Sequence, residues 1–305
     1  MRNARRHPWV VAAALLLSLA ASAPAQAATV GILLERDNPH YQASLKAFEA
    51  ALEAKAPGTK VLVQKPGPTS VARSNSLERL ETLKVDVIVT LGTTVTRSAV
   101  GLKRVAPLVF SLTTPKQIKI PGSSHMVGLT WQLPIEEALG VLQALAPGKP
   151  VALAHAGGSD AKRELKTATA ICERLGLTPV EVDLKADDLA AKLAEVGSVY
   201  VTGNATAIDA IAPLLAAAKP RKLPIATTTA GAEQRGVHVT FAPDPAAEGK
   251  AVGELAAQLL QGATPESLGN RELQETAVIL NQKAAAEAGL TLPDDLKSRA
   301  TRTIE

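Results

Sequence analysis

The chain has 305 residues, with 33 Lys and Arg against 29 Asp and Glu, five His and a single Cys. Arg2, Arg5 and Arg6 stand in its first 27 residues, which hold no acid; without them 30 basic residues face 29 acidic ones, about +1. A nucleic-acid binder would keep a basic stripe, and so even a balance, with the lone Cys172 unable to form an internal disulfide, excludes that class and a disulfide-stapled scaffold.

The N-terminus reads as an export signal. Three arginines precede the apolar run Trp9 to Ala20, and Ala25-Gln-Ala27 supplies small residues at a cleavage site. A run of 12 residues is too short to span a bilayer, which needs roughly 20. The mature chain is expected to begin at Ala28 or Thr29, with no cysteine there to carry a lipid, and to work in the periplasm.

From Thr29 onward strand-like and helix-like segments alternate. Apolar runs at residues 30–34, 60–64, 85–91 and 107–112 are separated by helical patterns at 41–56, 71–83 and 94–105. The series restarts with a helix over 133–145. Strands follow at 151–155, 179–183, 198–202 and 223–227, with helices at 160–175, 187–196 and 206–218. Continuous apolar strands between helices of this length mean parallel sheets covered on both faces. Two such series of similar size predict an α/β protein of two lobes, joined near Met126-Val-Gly-Leu-Thr130 by a hinge without a low-complexity linker. Cys172 falls within a helical pattern and reads as a buried structural thiol.

In open parallel sheets, ligands sit beyond the carboxyl ends of the strands, where helix N-termini offer free N–H groups. The turns at those positions carry Glu35, His40 and Tyr41, then Gly92-Thr93-Thr94, then Thr113-Thr114. In the second series they carry Gly158-Ser159, Asn204 and Thr206, and Thr228-Thr229. Small neutral hydrogen-bonding residues suit a binding pocket, although Thr, Ser and Asn are also the usual helix caps. Catalysis and metal binding have less support. Neither Gly-rich phosphate motif occurs, nor a G-x-S-x-G elbow, and His40, His125, His155 and His238 have no partner at metal-ligand spacing. No catalytic residue, metal or cofactor is expected.

The C-terminal stretch from Ala277-Val-Ile-Leu-Asn281 through Ala284-Ala-Ala, Gly289-Leu and Pro293 to Leu296 and Ala300 resembles the closing signature of the ABC transporter substrate-binding proteins of the tryptophan and tyrosine uptake type. Asp86-Val-Ile-Val-Thr-Leu-Gly92-Thr93, Pro107-Leu-Val-Phe110, Met126-Val-Gly128-Leu-Thr130 and Glu233-Gln-Arg-Gly236 fall in register with it. The resemblance implies the type I periplasmic-binding-protein fold with a multi-crossing hinge. It divides the chain into residues 28–127 plus 243–272 and residues 128–242 plus 273–305. It also implies a cleft in which Gly92-Thr93 holds a ligand carboxylate and Thr113-Thr114, Gly158-Ser159 and Asn204 supply other turns. Where amino-acid-binding members place an acid after a late strand, this chain has Thr227-Thr-Thr229, so an ammonium group would lack that countercharge. The implied partners are a small molecule, enclosed by hinge closure, and an ABC permease with its ATPase. The alternative is a sensing module that reports to a membrane receptor such as a sensor kinase. A monomer is expected.

Overall fold

A computed structural model describes residues 27–100, 106–113, 125–203 and 205–305. The export-signal expectation, Thr114 and Asn204 fall outside them.

The first series forms β1 (Thr29–Leu34), α1 (Pro39–Lys55), β2 (Lys60–Gln64), α2 (Ser70–Thr82), β3 (Val87–Leu91), α3 (Thr93–Val100), β4 (Leu108–Thr113) and β5 (Met126–Trp131). The second forms α4 (Ile135–Leu145), β6 (Val151–His155), α5 (Ser159–Leu175), β7 (Pro179–Asp183), α6 (Leu189–Lys192), β8 (Ser198–Val201), α7 (Ala205–Asp209), α8 (Ala212–Ala218), β9 (Ile225–Thr227) and β10 (Val239–Pro243). Then come α9 (Pro245–Leu260), α10 (Pro265–Leu268), β11 (Arg271–Leu273), β12 (Thr276–Asn281), α11 (Gln282–Glu287), α12 (Asp294–Ser298) and β13 (Arg302–Ile304).

Two sheets result, ordered β11-β5-β4-β3-β1-β2 and β13-β12-β10-β9-β8-β6-β7. Among the described residues every pairing is parallel except β10 with β12. That exception follows from the route, because β12 enters the second sheet directly from β11 of the first. Strands β3, β5, β6 and β8 are buried along their whole length, as helices on both faces require. Among the described residues the chain passes between the sheets three times, after β5, after β10 and between β11 and β12. The last two crossings are tied together by the Asp244 N–H on the Glu275 carbonyl, 2.9 Å.

Two helical expectations come out shorter, for local reasons. The 206–218 pattern breaks into α7 and α8, because Pro213 lies in the first turn of α8, where its missing N–H costs nothing. Of 187–196 only α6 is helical. α3 starts at Thr93, and the rest of the expected helix beyond Val100 lies outside the described residues. Cys172 is buried on the core face of α5, and burial pushes its thiol up to about 11.

The first lobe depends on an unusually close helix pair. α1 and α9 run in parallel, and a Cβ built on Gly249 would overlap the Ser44 carbonyl oxygen, while one on Gly253 would press on that of Phe48. Asn38 caps α1 by accepting from the Tyr41 N–H, and Asp244 caps α9 by accepting from Ala246 and Ala247. Ser44 then donates to Glu248, 2.7 Å, and Ser111 within β4 donates to its other oxygen, 2.5 Å. This buried carboxylate fastens two helices to a strand. Among the described residues no helix is long and apolar enough to cross a membrane, and no group of three His, Cys, Asp or Glu could hold a metal ion.

Candidate functional site

Ion pairs mark where the two lobes meet, at segments that follow β1 and β3 in the first sheet and β6 and β8 in the second. Arg36, in the turn after β1, forks onto Asp209 at the end of α7, at 3.3 and 3.1 Å. Arg97 in α3 reaches Asp160 in the first turn of α5, 2.8 Å. These pairs hold the turn after β1 and the helix α3 against α7 and the start of α5.

On the first lobe, Gly92 takes φ 122°, a conformation L-residues rarely adopt. A Cβ there would overlap the Glu35 side chain. Lacking one, the turn admits the Glu35 carboxylate to the N-terminus of α3. It accepts from the Thr94 N–H at 2.7 Å and from the Thr94 hydroxyl at 3.0 Å, a favourable place for negative charge. The donors of Thr94 are thus engaged by the protein's own carboxylate. Thr113 ends β4, opposite Thr130, where the pairing with β5 shifts register.

His40 and Tyr41 lie on the buried face of α1 rather than in the open turn. His40 is 2% exposed, with neither ring nitrogen hydrogen-bonded among the described residues, and stands edge-to-face on Tyr41. Burial, with Arg302 as a second cause, pushes its imidazole down to about 4. Burial likewise holds the Tyr41 phenol well above its ordinary range, with Glu35 and Glu248 adding to it.

On the second lobe, Gly157 and Gly158 both take positive φ and turn the chain from β6 into α5, leaving Gly158 and Ser159 exposed. Thr206 is also exposed, in α7. Thr228 is buried at the exit of β9, its hydroxyl 3.2 Å from that of Tyr200. Thr229 donates its N–H to the Thr227 hydroxyl, while its own hydroxyl oxygen is buried without a partner among the described residues.

Behind these turns stands Glu164 on α5. One of its oxygens accepts from the Tyr200 hydroxyl and from the Gly203 N–H, each 2.6 Å. It therefore ties β8 and its exit to α5. Burial pushes this carboxyl up to about 7 despite both bonds. Sequence reasoning missed Glu164, Glu248 and the interlobe pairs. A signal existed for Glu164: it shares a helical face with Ala161, Leu165, Ala168 and Cys172, all buried, and an acid on an apolar face needs a partner.

Glu35→Gln keeps the shape and removes the charge at α3. It should cost about 1 kcal/mol of stability by urea unfolding; an unchanged midpoint would mean that the carboxylate does not act as the cap.

The family model described as ABC transporter substrate binding protein matches residues 65–304. No curated protein sequence matches the chain. An ABC domain from Streptococcus pneumonia solved in complex with L-Trp is 19% identical, covers 92% of this chain and 100% of its own, and superposes with TM-score 0.76. A conserved domain protein from Vibrio cholerae is 20% identical, with 91% and 100% coverage and TM-score 0.77. A ligand-free, open substrate binding protein with adhesive properties from Clostridium difficile is 14% identical, with 91% and 100% coverage and TM-score 0.74. At these identities the solved structures speak for the fold, which is that of the type I periplasmic binding proteins. With most of its length matched by the family model, the chain belongs to the ABC transporter substrate binding proteins.

Proposed function

We propose that this protein is the periplasmic ligand-capturing subunit of an ABC importer, holding one small polar molecule in the interlobe cleft and presenting it to a permease with its ATPase. What supports the reading is the family match together with the two ion pairs that bring the segments after β1 and β3 against those after β6 and β8. Glu35, Gly92, Thr93, Thr94 and Thr113 would contact the ligand from one lobe, and Gly158, Ser159, Asn204, Thr206, Thr228 and Thr229 from the other. Thr114 belongs with the first group. His40 and Tyr41 would shape the first lobe from behind rather than touch the ligand.

The ligand's side toward β1 and β3 is neutral or cationic in this proposal. Glu35 already occupies the Thr94 donors at the N-terminus of α3, beside the Gly92-Thr93 turn that the resemblance assigns to a ligand carboxylate, and a second carboxylate there would meet like charge at close range.

The test is uptake in the source bacterium. Deleting the gene should abolish high-affinity uptake of whichever solute elutes from the purified protein. Complementation with Thr93→Val should restore uptake with affinity reduced by about 1–3 kcal/mol, the loss expected when a buried ligand group loses its partner. Undiminished uptake in the deletion strain would rule out the importer role. Full affinity with a lowered Tm would make Thr93 a helix cap alone. Periplasmic material should begin at Ala28 or Thr29, and N-terminal sequencing that returned Met1 would refute the export reading.

A further inference from the structure

We propose that Arg36–Asp209 and Arg97–Asp160 form a two-point electrostatic latch at the cleft mouth, which sets how much of the free protein is closed and makes that fraction depend on ionic strength. The inference rests on the solute-binding reading, which it extends to the control of closure.

In the first sheet the crossing strands β5 and β11 lie together at one end, and β1 and β3 lie toward the other. In the second sheet the crossing strands β10 and β12 lie toward one end, and β6 and β8 toward the other. Arg36 follows β1 and Arg97 follows β3; Asp160 follows β6, and Asp209 follows β8. Both pairs therefore join the strand ends remote from the crossings. When lobes rotate about crossings, groups farthest from them move most, so these contacts break early on opening and form last on closing.

Charge placement agrees. Arg36 binds both oxygens of Asp209, the bidentate geometry that fixes direction as well as distance. Asp160 divides its oxygens, one to Arg97 across the cleft and one to Arg163 on its own helix. Arg163 thus holds the acceptor in place on the second lobe whether the cleft is open or shut. All four latch side chains keep partial exposure, from 23% for Asp160 to 56% for Asp209. Each pair is therefore worth a modest factor, roughly 1.4- to 5-fold in the closed-to-open ratio, and the two together roughly 2- to 25-fold. Such factors matter where two states differ by only a few kcal/mol. Salt removes them, since the screening length falls from about 10 Å at 0.1 M to about 3 Å at 1 M.

Small-angle scattering on the full mature protein without any ligand tests this. The wild type should expand between 20 mM and 1 M sodium chloride. Arg36→Glu with Arg97→Glu should be expanded at both concentrations, and Asp160→Asn with Asp209→Asn should behave likewise from the other lobe. At low salt the swap R36D/D209R should recover the compactness that R36D alone loses, and circular dichroism should show all variants folded. Superimposable scattering from wild type and variants at both salts would overturn the latch, as would a swap that stayed expanded. No ligand enters the experiment, so a failed latch leaves solute binding standing. A working latch on a protein that binds no solute would defeat only that reading.

Discussion

Gly249→Ala should destabilise the protein by about 3 kcal/mol, the upper end of what overpacking costs in a well-filled interior. On propensity alone the sign would be the opposite, because alanine is better than glycine inside a helix by about 1 kcal/mol. Packing decides it. The new methyl would overlap the Ser44 carbonyl oxygen and press on Ala47 and Phe48, and backbone atoms cannot swing aside as a side-chain end can. α1 and α9 would have to part, loosening the Ser44 and Ser111 bonds to the neighbouring Glu248. Gly140 on α4 is the control, since nothing lies within 4 Å of its added Cβ; Gly140→Ala should gain up to about 1 kcal/mol. Urea unfolding of the two variants should move in opposite directions. If Gly249→Ala were as stable as Gly140→Ala, the close helix contact would be refuted.

The second large effect is on pH dependence. His40 and His238 are buried and pushed down to about 4, so the native protein leaves them neutral where the unfolded chain, near 6.5, takes up protons. Each therefore contributes stability that is full above 6.5 and is lost as pH falls toward 4, about 3 kcal/mol apiece. Glu164 works the other way. Its folded value of about 7 lies above the ordinary 4.5, so its contribution is full below 4.5 and is lost as pH rises to 7, again about 3 kcal/mol. The wild type should thus lose less stability in mild acid than its histidines alone dictate. Glu164→Gln stays neutral throughout and removes the offset. Relative to wild type it should gain about 3 kcal/mol between pH 4.5 and pH 8, a difference in which the histidine contributions cancel. Parallel stability profiles would show that Glu164 titrates normally.

The fold was legible because its signals are local and repeated. Apolar runs such as Val87–Leu91 fix the strands, and capping residues such as Asn38 and Asp244 open the helices that follow. The missed features depend on distant partners. β11 and β13 are three-residue strands at sheet edges, too short to carry a periodic pattern. For the candidate site, the sequence names turns but not what they engage. Glu35 stands 59 positions from Thr94, and Arg36 stands 173 from Asp209. Only the folded sheets bring such pairs together. His40 and Tyr41 show the same gap from the other side, since the strand-end rule places them near the cleft while the pitch of α1 turns them into the lobe.

Native mass spectrometry of the protein purified from its own periplasm tests the central claim most directly. A solute-binding protein with a cleft of this kind should carry one small polar molecule per chain, released on denaturation, and the stripped protein should take it up again at a single site. Identical masses before and after stripping, with no small molecule recovered from the denatured protein, would contradict the account.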